Sequence, residues 1–211
     1  MTIVAILRGV TPEAVTDIAD CLVQGGIKTI EVPLNSPDAL ASIRLLHQRF
    51  ASKASIGAGT VLTIEQVEAV AQAGGSLVLS PNMNVDVIRR TRQLGLTSIP
   101  GVATPTEAFA ALDAGATALK LFPADVLGVA TLKAWRSVMP ADVRIYAVGG
   151  IEAGNAAAFL AAGAVGVGVG GWLYKPGRNL DELRKRANEL VRSVDGMQAS
   201  APDTSSSRPC R

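Results

Sequence analysis

The stretch TALKLFPA, residues 117–124, places one lysine inside an apolar run of strand type. A helical pattern follows in GVATLKAWRSVM (128–139), and a second apolar run in RIYAVG (144–149). Strand, helix, strand is the unit of a parallel sheet, because parallel neighbours need a long crossover and a helix usually supplies it. The alternation extends in both directions. Strand candidates fall at 2–8, 29–34, 55–59, 76–80, 96–100, 118–122, 144–149 and 164–170, each closed by Gly, Pro, Ser or Asn. Between them the apolar residues recur at helical spacing, often behind a Thr, Ser or Asn and ahead of a Gly, and a last helix is expected over about 180–195.

Eight β/α units with apolar strands predict an α/β chain in which parallel strands are covered by helices, and the (β/α)8 barrel closes at that count. The rival, an open doubly wound sheet, usually carries a glycine-rich phosphate loop after its first strand. Here that position reads LRGVTPEA (7–14), with no G-x-G-x-x-G spacing, so a single-domain TIM barrel over 1–196 is the expectation. The remainder, 197–211, is small, polar and rich in Ser and Pro, and is expected to be a disordered tail.

Bulk properties narrow the function. The chain has 211 residues, 48% of them hydrophobic, and a net charge of +2 with the basic residues scattered, which argues against nucleic acid as a partner. No apolar stretch approaches the ~20 residues that span a bilayer, and the N-terminus lacks a signal-peptide pattern, so no membrane partner is expected and the location is taken as cytoplasmic. Cys21 and Cys210 offer no disulfide framework. His47 is the sole histidine and lies in a helical pattern, which disfavours a metal site built from several imidazoles and excludes a Ser-His-Asp triad around it.

Alternation along the 118–122 strand puts Ala118, Lys120 and Phe122 on one face and Leu119 and Leu121 on the other. In a barrel the leucines meet the helices and Lys120 points inward, near the strand end where barrel active sites lie. The strand TIEVPL (29–34) repeats the anomaly, with Glu31 opposite in parity to Ile30 and Val32. Read from the residues alone, Lys120 and Glu31 are either a structural ion pair or a catalytic amine with an acid/base partner. Arg8 closes the first strand with a planar fork suited to a carboxylate or phosphate, or is a surface arginine in a loop. Thr60 closes the third in GAGT (57–60), as a hydrogen-bond donor or part of a plain turn. Gly149 and Gly150 follow the seventh strand, and Gly170 and Gly171 the eighth, where barrels often bind phosphate through backbone amides; tight turns would use glycine there too.

Taken together, ILRG, EVPLNSP, GAGTV, SPN, PGVATPTEA, ALKLFPA, AVGGI and the closing glycine-rich strand resemble the KDPG/KDPGal aldolase family of class I aldolases, over residues 3 to about 195. The resemblance implies a (β/α)8 barrel, a homotrimer, a lysine Schiff base, and neither metal nor other cofactor. Through these motifs the Schiff-base lysine falls on Lys120 and the acid/base glutamate on Glu31. The pyruvate end falls on Arg8 and Thr60, with Pro100 and Phe122 as walls of the site. Gly149, Gly150, Gly170 and Gly171 match the phosphate cradle, although many relatives carry a serine where this chain has Gly171 followed by Trp172.

EVPLNSP and Val148 are features of relatives acting on the galactonate-derived epimer. The implied substrate is therefore 2-dehydro-3-deoxy-6-phosphogalactonate, split to pyruvate and D-glyceraldehyde 3-phosphate in galactonate breakdown. The gluconate-derived epimer and 4-hydroxy-2-oxoglutarate are alternatives with the same chemistry. An isomerase or epimerase without a covalent step and a non-catalytic binder of phosphorylated metabolites are the alternatives from other classes.

Overall fold

In the computed structural model of the chain, which describes residues 3–198, parallel strands and helices alternate from end to end. The strands are β1 Ile3–Ile6, β2 Thr29–Pro33, β3 Ser55–Gly59, β4 Leu77–Leu79, β5 Thr97–Ile99, β6 Gly101–Val102, β7 Leu119–Leu121, β8 Ile145–Val148 and β9 Gly166–Val169. The helices are α1 Pro12–Gln24, α2 Ala39–Phe50, α3 Ile64–Gln72, α4 Val85–Gln93, α5 Pro105–Asp113, α6 Ala124–Arg136, α7 Ala153–Ala161 and α8 Leu180–Gln198. Every ladder is parallel, and β1 pairs with both β2 and β9, so first and last strands meet.

The sheet counts nine segments, yet it has the eight staves that the alternation predicts. The expected strand at 96–100 is split at Pro100, which has no N–H to give a ladder. β5 pairs with β4 on one side and β6 with β7 on the other. The Pro100 carbonyl still accepts a hydrogen bond from the Lys120 amide at 2.9 Å, so ring closure runs through this one interrupted stave. The molecule is a single-domain (β/α)8 barrel.

Local chemistry explains the starts of three helices. Thr63, Asn84 and Thr104 cap α3, α4 and α5 with their side chains, and at α5 the Glu107 carboxylate also accepts from the Ala103 and Thr104 amides. Thr11 and Ser36 make no such cap. The Ser36 hydroxyl instead accepts a hydrogen bond from the Gly9 amide at 2.9 Å, tying two loops together at the C-terminal end of the barrel. A helix is expected from Gly128; the chain is already helical from Ala124 and is interrupted at Gly128 (φ 78°, ψ 167°), a backbone state open chiefly to glycine. α8 runs on to Gln198, two residues past the expected domain end, and the rest of the predicted tail lies outside the described residues.

Strand parity sorts the core into two regions. Val4, Ile6, Leu77, Leu79, Ile99, Ala118, Tyr146 and Val148 form a cluster inside the barrel, with Phe122 against it. Leu119 and Leu121 belong to the larger cluster between strands and helices, together with Ile30 and Val32. The leucines beside Lys120 therefore face the helices, and Lys120 and Glu31 are the inward members of their strands. Among the described residues, no helix is long and apolar enough to cross a membrane.

This division sets an expected contrast within one strand. Leu119→Ala and Leu121→Ala each leave a cavity in a dry layer and are expected to cost about 2–5 kcal/mol in urea unfolding. Lys120→Met removes a desolvated charge of similar length and is expected to leave the unfolding midpoint unchanged or raised.

Candidate active site

The C-terminal ends of the strands converge on a cavity of about 400 Å³. It is bordered by Arg8, Glu31, Thr60, Lys120, Phe122, Val148, Gly149, Gly150, Gly170 and Gly171, residues drawn from six staves and their loops. Pro100 is the exception among the expected site residues. It sits at the break between β5 and β6 and holds the Lys120 backbone through its carbonyl, while the cavity wall there is formed by Pro81 of the SPN motif.

Lys120 and Glu31 occupy the floor, 6% and 2% exposed. Among the described residues no ion pair within 4.0 Å joins them, and Glu31 Oε2 has no hydrogen-bond partner. A simple structural salt bridge is thus not what keeps these charges inside. Burial instead shifts both groups: it pushes the Glu31 carboxyl up to about 7, against the opposing fields of Lys120 and Arg8. Burial also pulls the Lys120 amine below its ordinary value, with Arg8 adding to the effect and Glu31 opposing it. The Lys120 Nζ lies 4.5 Å from the centroid of the Phe122 ring, whose face offers a partial partner to the ammonium.

Glu31 reaches its place only because β3 carries glycine beside it. A Cβ on Gly59 would overlap the Glu31 carboxylate. The next residue, Thr60, adopts a left-handed conformation (φ 57°), which is costly for a β-branched side chain and marks a position held by its surroundings. Arg8 is exposed at the rim and donates from Nη1 to Asn35 Oδ1 at 2.6 Å. Asn35 and Ser36 of the EVPLNSP segment thus orient the loop that carries Arg8, a role that inspection of either segment alone does not reveal.

Above the floor the wall becomes mostly backbone. Gly149 (φ 104°) and Gly150 (φ 63°) turn the chain after β8 into α7, against Pro123 and Asp125 respectively. Gly170 starts a tight turn after β9, its carbonyl accepting from the Leu173 and Tyr174 amides at 2.8 and 2.9 Å. Ile6, Ile151, Glu152, Gly168 and Trp172 also border the cavity and are not picked out by the sequence. Ile6 was accessible through its shared parity with Arg8; Glu152 and Trp172 lie in loops, where no periodicity points. Among the described residues, no group of three or more His, Cys, Asp or Glu is placed to hold a metal ion. The arrangement offers a desolvated amine, a carboxyl that titrates near neutrality, an arginine at the rim and a glycine-lined outer wall.

Comparison with known proteins was consistent in sequence and structure. The family model described as "Aldolase: KDPG and KHG aldolase" matches residues 1–185. A 2-dehydro-3-deoxy-6-phosphogalactonate aldolase of Escherichia coli (strain K12) is 42% identical over 92% of this chain and 94% of that protein. A probable enzyme of the same name from Rhizobium meliloti (strain 1021) is 45% identical over 92% of each. A solved structure described as native KDPGal superposes with a TM-score of 0.93 at 40% identity, covering 94% of this chain and 97% of that one.

The raised Glu31 pKa has a direct consequence for stability. A native carboxyl near 7, against 4.5 as its ordinary value, binds its proton more tightly than the unfolded chain does. The penalty for burying it is absent well below the unfolded value, grows as pH rises from about 4.5, and is complete above about 7. Glu31→Gln is therefore expected to raise Tm relative to the parent more at pH 8 than at pH 5, measured by calorimetry at both. Gly59→Ala, which drives a methyl group into the carboxylate, is expected to lower Tm at both.

Proposed function

The chain belongs to the KDPG and KHG aldolase family, and on that premise we propose that it is a class I aldolase whose substrate is 2-dehydro-3-deoxy-6-phosphogalactonate. The observation that carries the reading is the buried Lys120, in no ion pair with Glu31, in the same cavity as a Glu31 carboxyl pushed up to about 7. A lyase of this type needs an amine that is neutral often enough to attack a ketone, and a neighbour that both takes and returns a proton. Similarity to relatives named for the galactonate-derived substrate supports that choice of epimer.

In the proposed cycle the Lys120 Nζ attacks the C2 carbonyl. The carbinolamine loses water and becomes a protonated imine. Glu31, as the carboxylate, takes the C4 hydroxyl proton; the C3–C4 bond breaks, and its electron pair passes into the imine to form an enamine. D-Glyceraldehyde 3-phosphate leaves. Glu31 returns the proton to C3, and water hydrolyses the resulting imine to release pyruvate and the free amine. Arg8 and Thr60 hold the carboxylate of the pyruvate half, Phe122 packs beside the amine, and Val148, which borders the cavity, is assigned to discrimination between the two epimers. The amides around Gly149, Gly150, Gly170 and Gly171 take the phosphate, so that both ends are anchored while the central bond reacts. The reaction is placed in galactonate catabolism in the cytoplasm, and the assembly is read as the homotrimer that the family resemblance implies.

Borohydride reduction in the presence of pyruvate is expected to leave a pyruvyl adduct on Lys120, mapped by peptide mass spectrometry; an active preparation with no adduct there would refute the covalent mechanism. Lys120→Met is expected to lose activity by about a thousandfold or more, and Glu31→Gln by about 10²–10⁴-fold. Because the base form of Glu31 exists above its pKa, kcat/KM is expected to rise with pH through about 7. A side-by-side assay of the galactonate- and gluconate-derived 6-phosphates is expected to favour the former.

A further inference from the structure

The turn after β9 is held from behind by two arginines. Arg178, its side chain 9% exposed, donates from Nη1 to the carbonyls of Trp172 and Leu173 at 2.7 and 2.6 Å. Arg186 donates from Nη1 to the same Trp172 carbonyl at 3.1 Å, and its guanidinium lies 5.2 Å from the centroid of the Trp172 ring. The Glu182 carboxylate engages both, at 3.3 Å from Arg178 Nε and 2.9 Å from Arg186 Nε. Charge-assisted bonds of this kind are roughly twice as strong as neutral ones, and three of them end on consecutive carbonyls of one turn. Trp172 packs against the core between strands and helices, and the clamp fixes the turn that carries it. Trp172 is half-buried and borders the cavity, next to Gly171, which has no side chain to offer.

From this we infer that Trp172 is a specificity-determining residue for the half of the substrate that leaves as the aldehyde, and that Arg186 is the positioning residue that fixes its ring. The inference rests on the aldolase reading and deepens it. Lys120 and Glu31 lie on strands at the floor, whereas Trp172 lies in a loop beyond the end of β9. A substrate bound through C2 to Lys120 therefore extends its far end toward Trp172. The rigid indole gives the carbon chain of that end an apolar wall at small entropic cost, while the phosphate itself goes to the amides of the glycine turns. A substrate with a three-carbon phosphorylated leaving half reaches this wall; one with a two-carbon leaving half does not.

The test is a ratio measured on the full chain. Trp172→Ala is expected to lower kcat/KM for 2-dehydro-3-deoxy-6-phosphogalactonate about tenfold, mainly through KM, while that for 4-hydroxy-2-oxoglutarate changes less than about twofold. Arg186→Leu is expected to shift the ratio the same way by about threefold, and Arg186→Lys, which keeps a cation over the ring, to restore most of it. A parallel fall on both substrates would mark a purely structural role and overturn the inference, as would an unchanged ratio. Borohydride trapping with pyruvate separates the two levels of the argument. A Lys120 adduct in parent and variant with no change in ratio sinks the specificity inference alone, and no adduct in the parent sinks the aldolase reading and this inference with it.

Discussion

A lysine and a glutamate desolvated together, with no ion pair within 4.0 Å between them, is the constraint on which the molecule turns. Moving either charge out of water costs several kcal/mol, and pairing would recover part of it. Lys120 and Glu31 sit on β7 and β2, in the same cavity, and Glu31 keeps one oxygen without a partner. What remains is two groups whose protonation states are both drawn toward neutrality. Such a pair contributes little to holding a barrel together and suits chemistry in which an amine and a carboxyl exchange protons with a substrate.

The rest of the fold pays for this floor and aims it. Leu119 and Leu121, on either side of Lys120, are buried among the helices, so β7 is fixed by its outer face while its inner face carries the amine. The interruption at Pro100 has a similar logic, since its carbonyl anchors the Lys120 backbone although the stave is broken there. Gly59 clears space for the Glu31 carboxylate, and the loop carrying Arg8 is tied by Asn35 and Ser36. Each of these is a contact between staves that are distant in the chain.

The outer part of the cavity follows a different rule. Its wall is built from turns after β8 and β9, where Gly149 and Gly150 take positive φ and Gly170 and Gly171 border the cavity. Turns of this kind lack rigidity of their own. At the β9 turn, Arg178, Glu182 and Arg186, from α8 and the segment leading into it, supply it from behind. The barrel thus spends its last helix on holding a loop as well as covering strands.

The amino-acid sequence by itself determined the alternation, the number of staves and the side on which each strand residue lies, because those follow from periods of 3.6 and 2 and from turn residues that act locally. It therefore exposed Lys120 and Glu31 as inward-facing charges and Gly149, Gly150, Gly170 and Gly171 as residues of the C-terminal loops. Tertiary structure alone decided that Lys120 and Glu31 stay unpaired, that Pro81 and not Pro100 borders the cavity, that Thr60 is held left-handed, and that Arg186 lies over Trp172. The reason is physical: distances between groups on different staves depend on how the barrel closes and how its loops pack, and no local period carries that information.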